Sequence, residues 1–143
     1  MAYIVAGSDT TANTLTYLVW AVCRHPEVKA ALVTELETLP ASGFGDGELK
    51  QLPYLNQVVE ETLRLYSAAP STLPRRVPPG GAVLAGHWLE GGTTVSSQAY
   101  TLHRDPETFS FPDNFNPSRW ERPTKDMKDA FFAFGGGSRG KLG

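Results

Sequence analysis

Apolar residues in the first part of the chain recur at helical spacing. Leu15, Leu18, Val19 and Val22 follow the i, i+3, i+4, i+7 pattern of one helix face. This pattern predicts a helix over residues 2–24.

Two further helices are predicted downstream of the first. Pro26 suits the first position of a helix and Glu27 suits its first turn, which indicates a second helix that runs to about Thr38. A third helix is predicted over about 52–66. The residues that share one side of it are Leu55, Val58, Val59, Thr62 and Tyr66.

Glycine and proline interrupt the chain between and after these helices. Residues 40–47 are rich in Gly, Ser and Pro and are predicted to form a loop. Six Pro and Gly residues between 70 and 81 exclude further helix there. Short strands are expected at 82–84, 87–89 and 93–97. We predict a mostly irregular chain from 104 to 143, packed on other parts of the fold.

Composition and charge remove several classes of protein. The 143 residues are 41% hydrophobic and 20% charged, and Lys+Arg 13 against Asp+Glu 15 gives a net charge of −2. This balance gives no support to a nucleic-acid partner, and we see no apolar run long enough to span a membrane.

One cysteine, Cys23, excludes an internal disulfide and a zinc site of paired cysteines, and its apolar neighbours predict a buried thiol. Because the chain starts in an apolar helix and stops in a glycine-rich segment, we expect a fragment.

The segment AGSDTT at residues 6–11 is unusual for a helix interior. Glycine costs about 1 kcal/mol there relative to alanine, and Ser, Asp and Thr compete for backbone hydrogen bonds. One interpretation is a helix start with Ser8 or Asp9 as the N-cap. The other is a locally opened helix in which Asp9 and Thr10 face a pocket and relay protons.

Glu61 and Arg64 lie three residues apart and therefore on one helix face. Such pairs are usually solvated surface contacts worth about 0.2–0.5 kcal/mol. Their apolar neighbours suggest burial in this chain, and a buried arginine needs more than one acceptor. Arg119, in the segment FNPSRW, is a candidate third member.

The segment FGGGSRG at residues 134–140 is rich in glycine and carries one cation. It is interpreted either as a flexible tail or as a loop that lets the backbone approach a flat ligand closely. It is not a phosphate-binding loop, because no Gly-Lys-Ser/Thr follows it.

In their order and spacing these segments resemble motifs of the cytochrome P-450 family, the haem-thiolate monooxygenases. The resemblance covers essentially the whole chain and is closest to fungal microsomal members. The segments that carry it are AGSDTT of the I-helix, ETLR at 61–64 of the K-helix, LPR at 73–75, HRDP at 103–106 with FNPSRW at 115–120 of the meander, and the start of the haem-binding signature at 134–139.

The resemblance implies a fold that is mainly α with a small β region. Residues 1–143 would form one partial domain, truncated at both ends, from the I-helix to the start of the haem-binding loop. It also implies haem b, a small organic substrate, an NADPH-dependent reductase and a parent protein at the endoplasmic reticulum membrane.

The resemblance also implies roles for particular residues. Asp9 and Thr10 would deliver protons, and Glu61, Arg64 and Arg119 would hold the core near the haem. The residues implied to bind the cofactor are Arg75, Phe134, Gly137 and Arg139, with Arg75 and Arg139 paired to the haem propionates.

One position departs from the family pattern. The signature Phe-x-x-Gly-x-Arg-x-Cys-x-Gly places Lys141 where the family has its iron-ligating cysteine, and Gly143 at the last glycine. A lysine amine, with a reference pKa near 10.4, cannot supply the anionic push that a thiolate gives to iron. Two hypotheses therefore stay open: a monooxygenase fragment, or a non-catalytic remnant or mis-spliced product that binds no haem.

The change from cysteine to lysine needs more than one base substitution. Residues 140–142 can be encoded GGT-AAG-TTG, which contains a splice-donor consensus. Read-through of an intron and a true substitution in a decayed gene are therefore both compatible with Lys141.

Overall fold

The structure is a computed structural model and describes residues 2–135. It is mainly helical, with a small β region between the fourth and fifth helices. The helices are α1 Ala2–Arg24, α2 Pro26–Leu36, α3 Asp46–Lys50, α4 Pro53–Leu65, α5 Ala99–Leu102 and α6 Lys125–Ala130, with a 3₁₀ turn at Pro117–Trp120. The strands are β1 Thr72–Arg76, β2 Ala82–Leu84, β3 His87–Leu89 and β4 Thr94–Gln98.

The start of α4 is held by a side chain from α2. Proline occupies the first helical position of α4, where its missing N–H removes no hydrogen bond. The next two N–H groups, of Tyr54 and Leu55, each donate to one carboxylate oxygen of Glu35 at 2.7 Å. A carboxylate placed there also favours the positive end of the helix dipole. Glu35 therefore fixes α4 relative to α2.

The β region consists of two antiparallel pairs. Strand β1 pairs with β4, with Arg75 opposite Val95, and β2 pairs with β3 across a tight turn. Gly81 lies just before β2, at the end of this pair away from the turn; it has φ +79°, and a Cβ atom on it would clash with the indole of Trp88. Only glycine allows Trp88 to lie against the backbone at this point.

The described residues form two clusters of buried apolar side chains. The first cluster consists of Ala21, Val28, Val58, Leu65 and Phe115. The second consists of Phe109, Trp120 and Met127. The segment between α5 and α6 is thus largely irregular but ordered, because its aromatic side chains enter both clusters.

The structure corrects several predicted elements. Strand β1 was not predicted, because Pro74 lies in it; a two-stranded sheet tolerates proline, since each strand has a free edge. Helix α3 begins within the predicted loop 40–47, and α6 lies in the segment predicted to be irregular. Cys23 is exposed rather than buried, because it lies on the side of α1 away from the core residue Ala21.

The predicted N-cap at Ser8 or Asp9 is also wrong. Helix α1 begins at Ala2 and runs without interruption to Arg24, so both residues lie in its interior, and the helix is not opened there. Hydroxyl groups of Thr14 and Thr16 donate back to the carbonyl groups of Thr10 and Ala12, at 3.0 and 2.8 Å. Packing of the later turns on α4 outweighs the weak helix propensity of this segment.

None of the described helices is sufficiently long and apolar to cross a bilayer.

Candidate functional site

A cleft of about 630 Å³ lies between α1, the end of α4, β1 and the segment 133–135. This volume is within the range typical of small-molecule sites. The residues that line it are Thr10, Thr11, Thr14, Leu15, Leu63, Ser67, Ala68, Ala69, Leu73, Arg75, Ala133, Phe134 and Gly135.

Regular backbone geometry brings these distant residues together. Thr10 and Thr14 are one helical turn apart on α1, and Leu73 and Arg75 are two apart on β1, so each pair shares a face. Gly135 turns the chain along the cleft with φ +76°, a value that favours glycine.

The cleft has mostly apolar walls, and its polar lining residues are three threonines of α1, Ser67 and Arg75. Among its described lining residues, Arg75 carries the only charge. Its guanidinium donates to the carbonyl of Pro74 at 2.9 Å, and its remaining N–H groups have no partner within residues 2–135. The Ser67 hydroxyl is buried and lacks a hydrogen-bond partner in the same range. Apolar walls with a cation and an unsatisfied hydroxyl fit a flat apolar ligand that has an anionic edge, as haem does.

A buried ionic network lies in the last two turns of α4, at the same end of the helix as the cleft. Arg64 makes a two-pronged contact with Glu61, with Nε to Oε2 and Nη2 to Oε1 both at 2.8 Å and both side chains fully buried. Arg119 Nε reaches the same Oε1 at 3.0 Å. The structure thus brings the three predicted side chains into one hydrogen-bonded group.

Two further donors reach Glu61, and the pattern of the sequence did not point to them. The backbone N–H of Asn116 donates to Oε1 and the indole N–H of Trp120 donates to Oε2, both at 2.9 Å. Pro117 starts the 3₁₀ turn that aims Arg119 and Trp120 at the carboxylate. Burial raises the pKa of Glu61, but the hydrogen bonds and charge of Arg64, with Asn116 and Arg119, outweigh it and lower the pKa overall.

The arginines of the network also hold the irregular segment that follows α5. Arg64 Nη1 donates to the carbonyl groups of His103 and Pro112, each at 2.6 Å, and Nη2 donates to that of Asn114 at 3.2 Å. These carbonyl groups have no strand or helix partner to satisfy them. Arg64 therefore provides hydrogen bonds to the carbonyl groups of this segment. In return, it has enough acceptors to offset the free-energy cost of burying its charge.

The structure places some of the predicted site residues at the cleft and others away from it. Thr10, Arg75 and Phe134 line the cleft, whereas Asp9 on α1 is not among the lining residues. Gly137, Arg139 and Lys141 lie outside the described residues. Within residues 2–135, no group of three or more His, Cys, Asp or Glu side chains is placed to hold a metal ion.

Comparison with known proteins defines the class. A family model described as Cytochrome P-450 matches residues 1–143. In its fold, the chain is similar to a solved zebra fish cytochrome P-450 with progesterone, with a TM-score of 0.80, 27% identity, and coverage of 95% of this chain and 31% of that chain. The chain belongs to the cytochrome P-450 family.

Similar curated relatives come from fungi. The chain is 58% identical over 142 residues to a cytochrome P-450 monooxygenase of Aspergillus niger, and 56% identical to another of Aspergillus terreus. Each match covers 99% of this chain and 29% of the relative. The chain therefore spans less than a third of the length of these relatives.

Proposed function

We propose that this chain is the cofactor-facing segment of a haem-dependent monooxygenase, which inserts one oxygen atom from O₂ into a small organic substrate. The observation that carries the proposal is the cleft, which collects Thr10, Arg75 and Phe134 from three distant parts of the sequence. By analogy with the family, electrons would come from an NADPH-dependent reductase, at the endoplasmic reticulum membrane.

The cleft residues have separate tasks in this proposal. Haem, when bound, supplies the oxygen chemistry. The Arg75 guanidinium orients the ligand by pairing with a propionate, and the buried Ser67 hydroxyl provides a further donor. Phe134 lines the cleft, and by resemblance to the family Gly137 and Arg139 would also bind the cofactor.

Proton delivery is proposed for the first helix. The Thr10 side chain lies at the cleft wall. Its hydroxyl can donate a proton to a bound group there and accept another proton in its place. Asp9 is the adjacent residue, is exposed to solvent and is not among the lining residues. Asp9 thus serves as the outer member of the pair and Thr10 as the inner one.

A second candidate is a non-catalytic remnant or mis-spliced product that binds no haem. Lys141 favours it, because this lysine stands where the family has its thiolate ligand. The single cysteine of the chain, Cys23, is on α1 and is not among the residues that line the cleft.

Titration of the purified chain with haem, followed by absorbance, separates these candidates. We expect saturable binding that weakens about tenfold in Arg75→Gln, the loss of one charge-assisted hydrogen bond. Arg76→Gln is the matched control, because Arg76 is the next residue on β1, is exposed and is not among the lining residues. No saturable binding, or equal weakening in both variants, would favour the remnant.

Reduction of the same complex under carbon monoxide tests the ligand position. Because lysine replaces cysteine at position 141, we expect no thiolate-type Soret band. A clear band of that type would show that a thiolate reaches the iron after all, and would contradict our interpretation of Lys141.

A further inference from the structure

His103 is fully buried and joins two backbone segments through its ring nitrogens. Its Nδ1 lies 2.7 Å from the carbonyl oxygen of Arg64, and its Nε2 lies 2.7 Å from the backbone nitrogen of Phe132. A backbone N–H can only donate, so Nε2 must accept. The proton therefore resides on Nδ1, which donates to Arg64, and the neutral ring is held in one tautomer.

The two segments joined by this ring are functionally distinct. Arg64 is in the last turn of α4, and its side chain belongs to the Glu61 network. Phe132 immediately precedes Ala133, Phe134 and Gly135, all of which line the cleft. The imidazole is thus a bridge between the buried network and one wall of the cleft.

We propose that His103 is a positioning residue, which fixes the backbone at Phe132 and through it the cleft wall at 133–135. The bridge depends on an acceptor at Nε2. No step of the chemistry proposed above uses His103, and its role extends to any ligand of this cleft.

The surroundings of the ring keep it in the neutral form that the bridge requires. Burial lowers the pKa of His103 to about 4, against the effect of its hydrogen bond to Arg64. The charges of Arg64 and Arg104 contribute to this lowering of the pKa, and the charge of Glu61 opposes it. Phe131 stacks on the ring with centroids 5.5 Å apart, which excludes water from that face. Protonation would place an N–H on Nε2, opposite the N–H of Phe132.

Two amide variants of the full chain separate the two halves of the bridge. In His103→Gln the side-chain oxygen can reach the Nε2 position and accept from Phe132. In His103→Asn the shorter side chain can reach only the Nδ1 position and donate to Arg64. Hydrogen exchange at the Phe132 amide, expressed as a protection factor, reports directly on the proposed bond.

We expect the Phe132 amide to be protected in the unmodified chain, to lose about tenfold in protection in His103→Asn, and to lose much less in His103→Gln. Nitrogen NMR of the ring should show the Nδ1–H tautomer at neutral pH. An unprotected Phe132 amide in the unmodified chain, an Nε2–H tautomer, or equal losses in the two variants would overturn the proposal. Haem titration does not enter this test, so its failure is distinguishable from failure of the proposed function.

Discussion

Replacing Glu61 with glutamine tests whether the buried network holds this part of the fold together. Five hydrogen bonds converge on the carboxylate: two from Arg64 and one each from Arg119, Asn116 and Trp120. Glutamine has nearly the same shape, but one of its two acceptor atoms becomes an NH₂ group that faces these donors. The change therefore removes the charge and makes part of the network repulsive.

The expected loss is large because the side chains of the two arginines are almost entirely shielded from water. The side chain of Arg64 is 0% exposed and that of Arg119 is 7% exposed. Removal of one partner from a buried ion pair costs about 3–5 kcal/mol, whereas an exposed pair contributes about 0–1 kcal/mol. We therefore expect Glu61→Gln to lower the free energy of unfolding by about 3–5 kcal/mol, a large share of the 5–15 kcal/mol typical of a domain.

Urea unfolding of the chain, followed by far-ultraviolet circular dichroism, measures this loss. Asp46→Asn is the matched control, because it also changes one carboxylate to an amide but breaks an exposed pair with Lys50, whose side chains are 73% and 79% exposed. The control should change the free energy of unfolding by less than about 1 kcal/mol. Equal, small effects of the two substitutions would refute the reasoning that the network stabilises the fold.

Two further predictions follow from the charges and apolar surfaces of the described residues. The pKa of His103 is about 4 in the fold, against 6.5 for the unfolded side chain. Between these two pH values the unfolded state therefore binds more protons than the folded state. We expect the free energy of unfolding to fall by about 3 kcal/mol as the pH drops from 6.5 to 4. Urea unfolding across this pH range measures the change. If the free energy of unfolding still falls with pH in His103→Gln, the pH dependence belongs to another group. The lowered pKa of Glu61 adds a further loss at still lower pH. The α1 surface around Val19, which is 58% exposed beside Trp20, should bind a hydrophobic fluorescent dye; Val19→Ser should reduce this fluorescence more than Val33→Ser on α2, and equal effects would contradict it.

Local patterns in the sequence were enough for the three long helices α1, α2 and α4, but not for the short helices α3, α5 and α6. The spacing of apolar residues predicted α1, and Pro26 and the apolar side of α4 placed the next two helices within about two residues of their observed ends. Strand β1 was missed because proline is a strong local signal against a central strand, and only its partner β4 shows that the strand lies at an edge.

The site was predictable only in part, because its contacts join distant residues. Glu61 and Arg64 form a recognisable pair three residues apart, but the Trp120 indole reaches Glu61 across 59 positions. The bridge made by His103 spans 39 positions to Arg64 and 29 to Phe132. Burial of Glu61 and the tautomer of His103 follow from these tertiary contacts and not from any spacing in the sequence.

The central claim is that the cleft receives haem with an acidic edge against Arg75. Comparing the affinity of the chain for haem and for haem dimethyl ester, whose carboxylates are blocked, tests this most directly. We predict that the chain prefers haem by about tenfold, that Arg75→Gln reduces this preference, and that Arg76→Gln retains it in full. Equal affinity of the unmodified chain for the two compounds, or an undiminished preference in Arg75→Gln, would contradict the account.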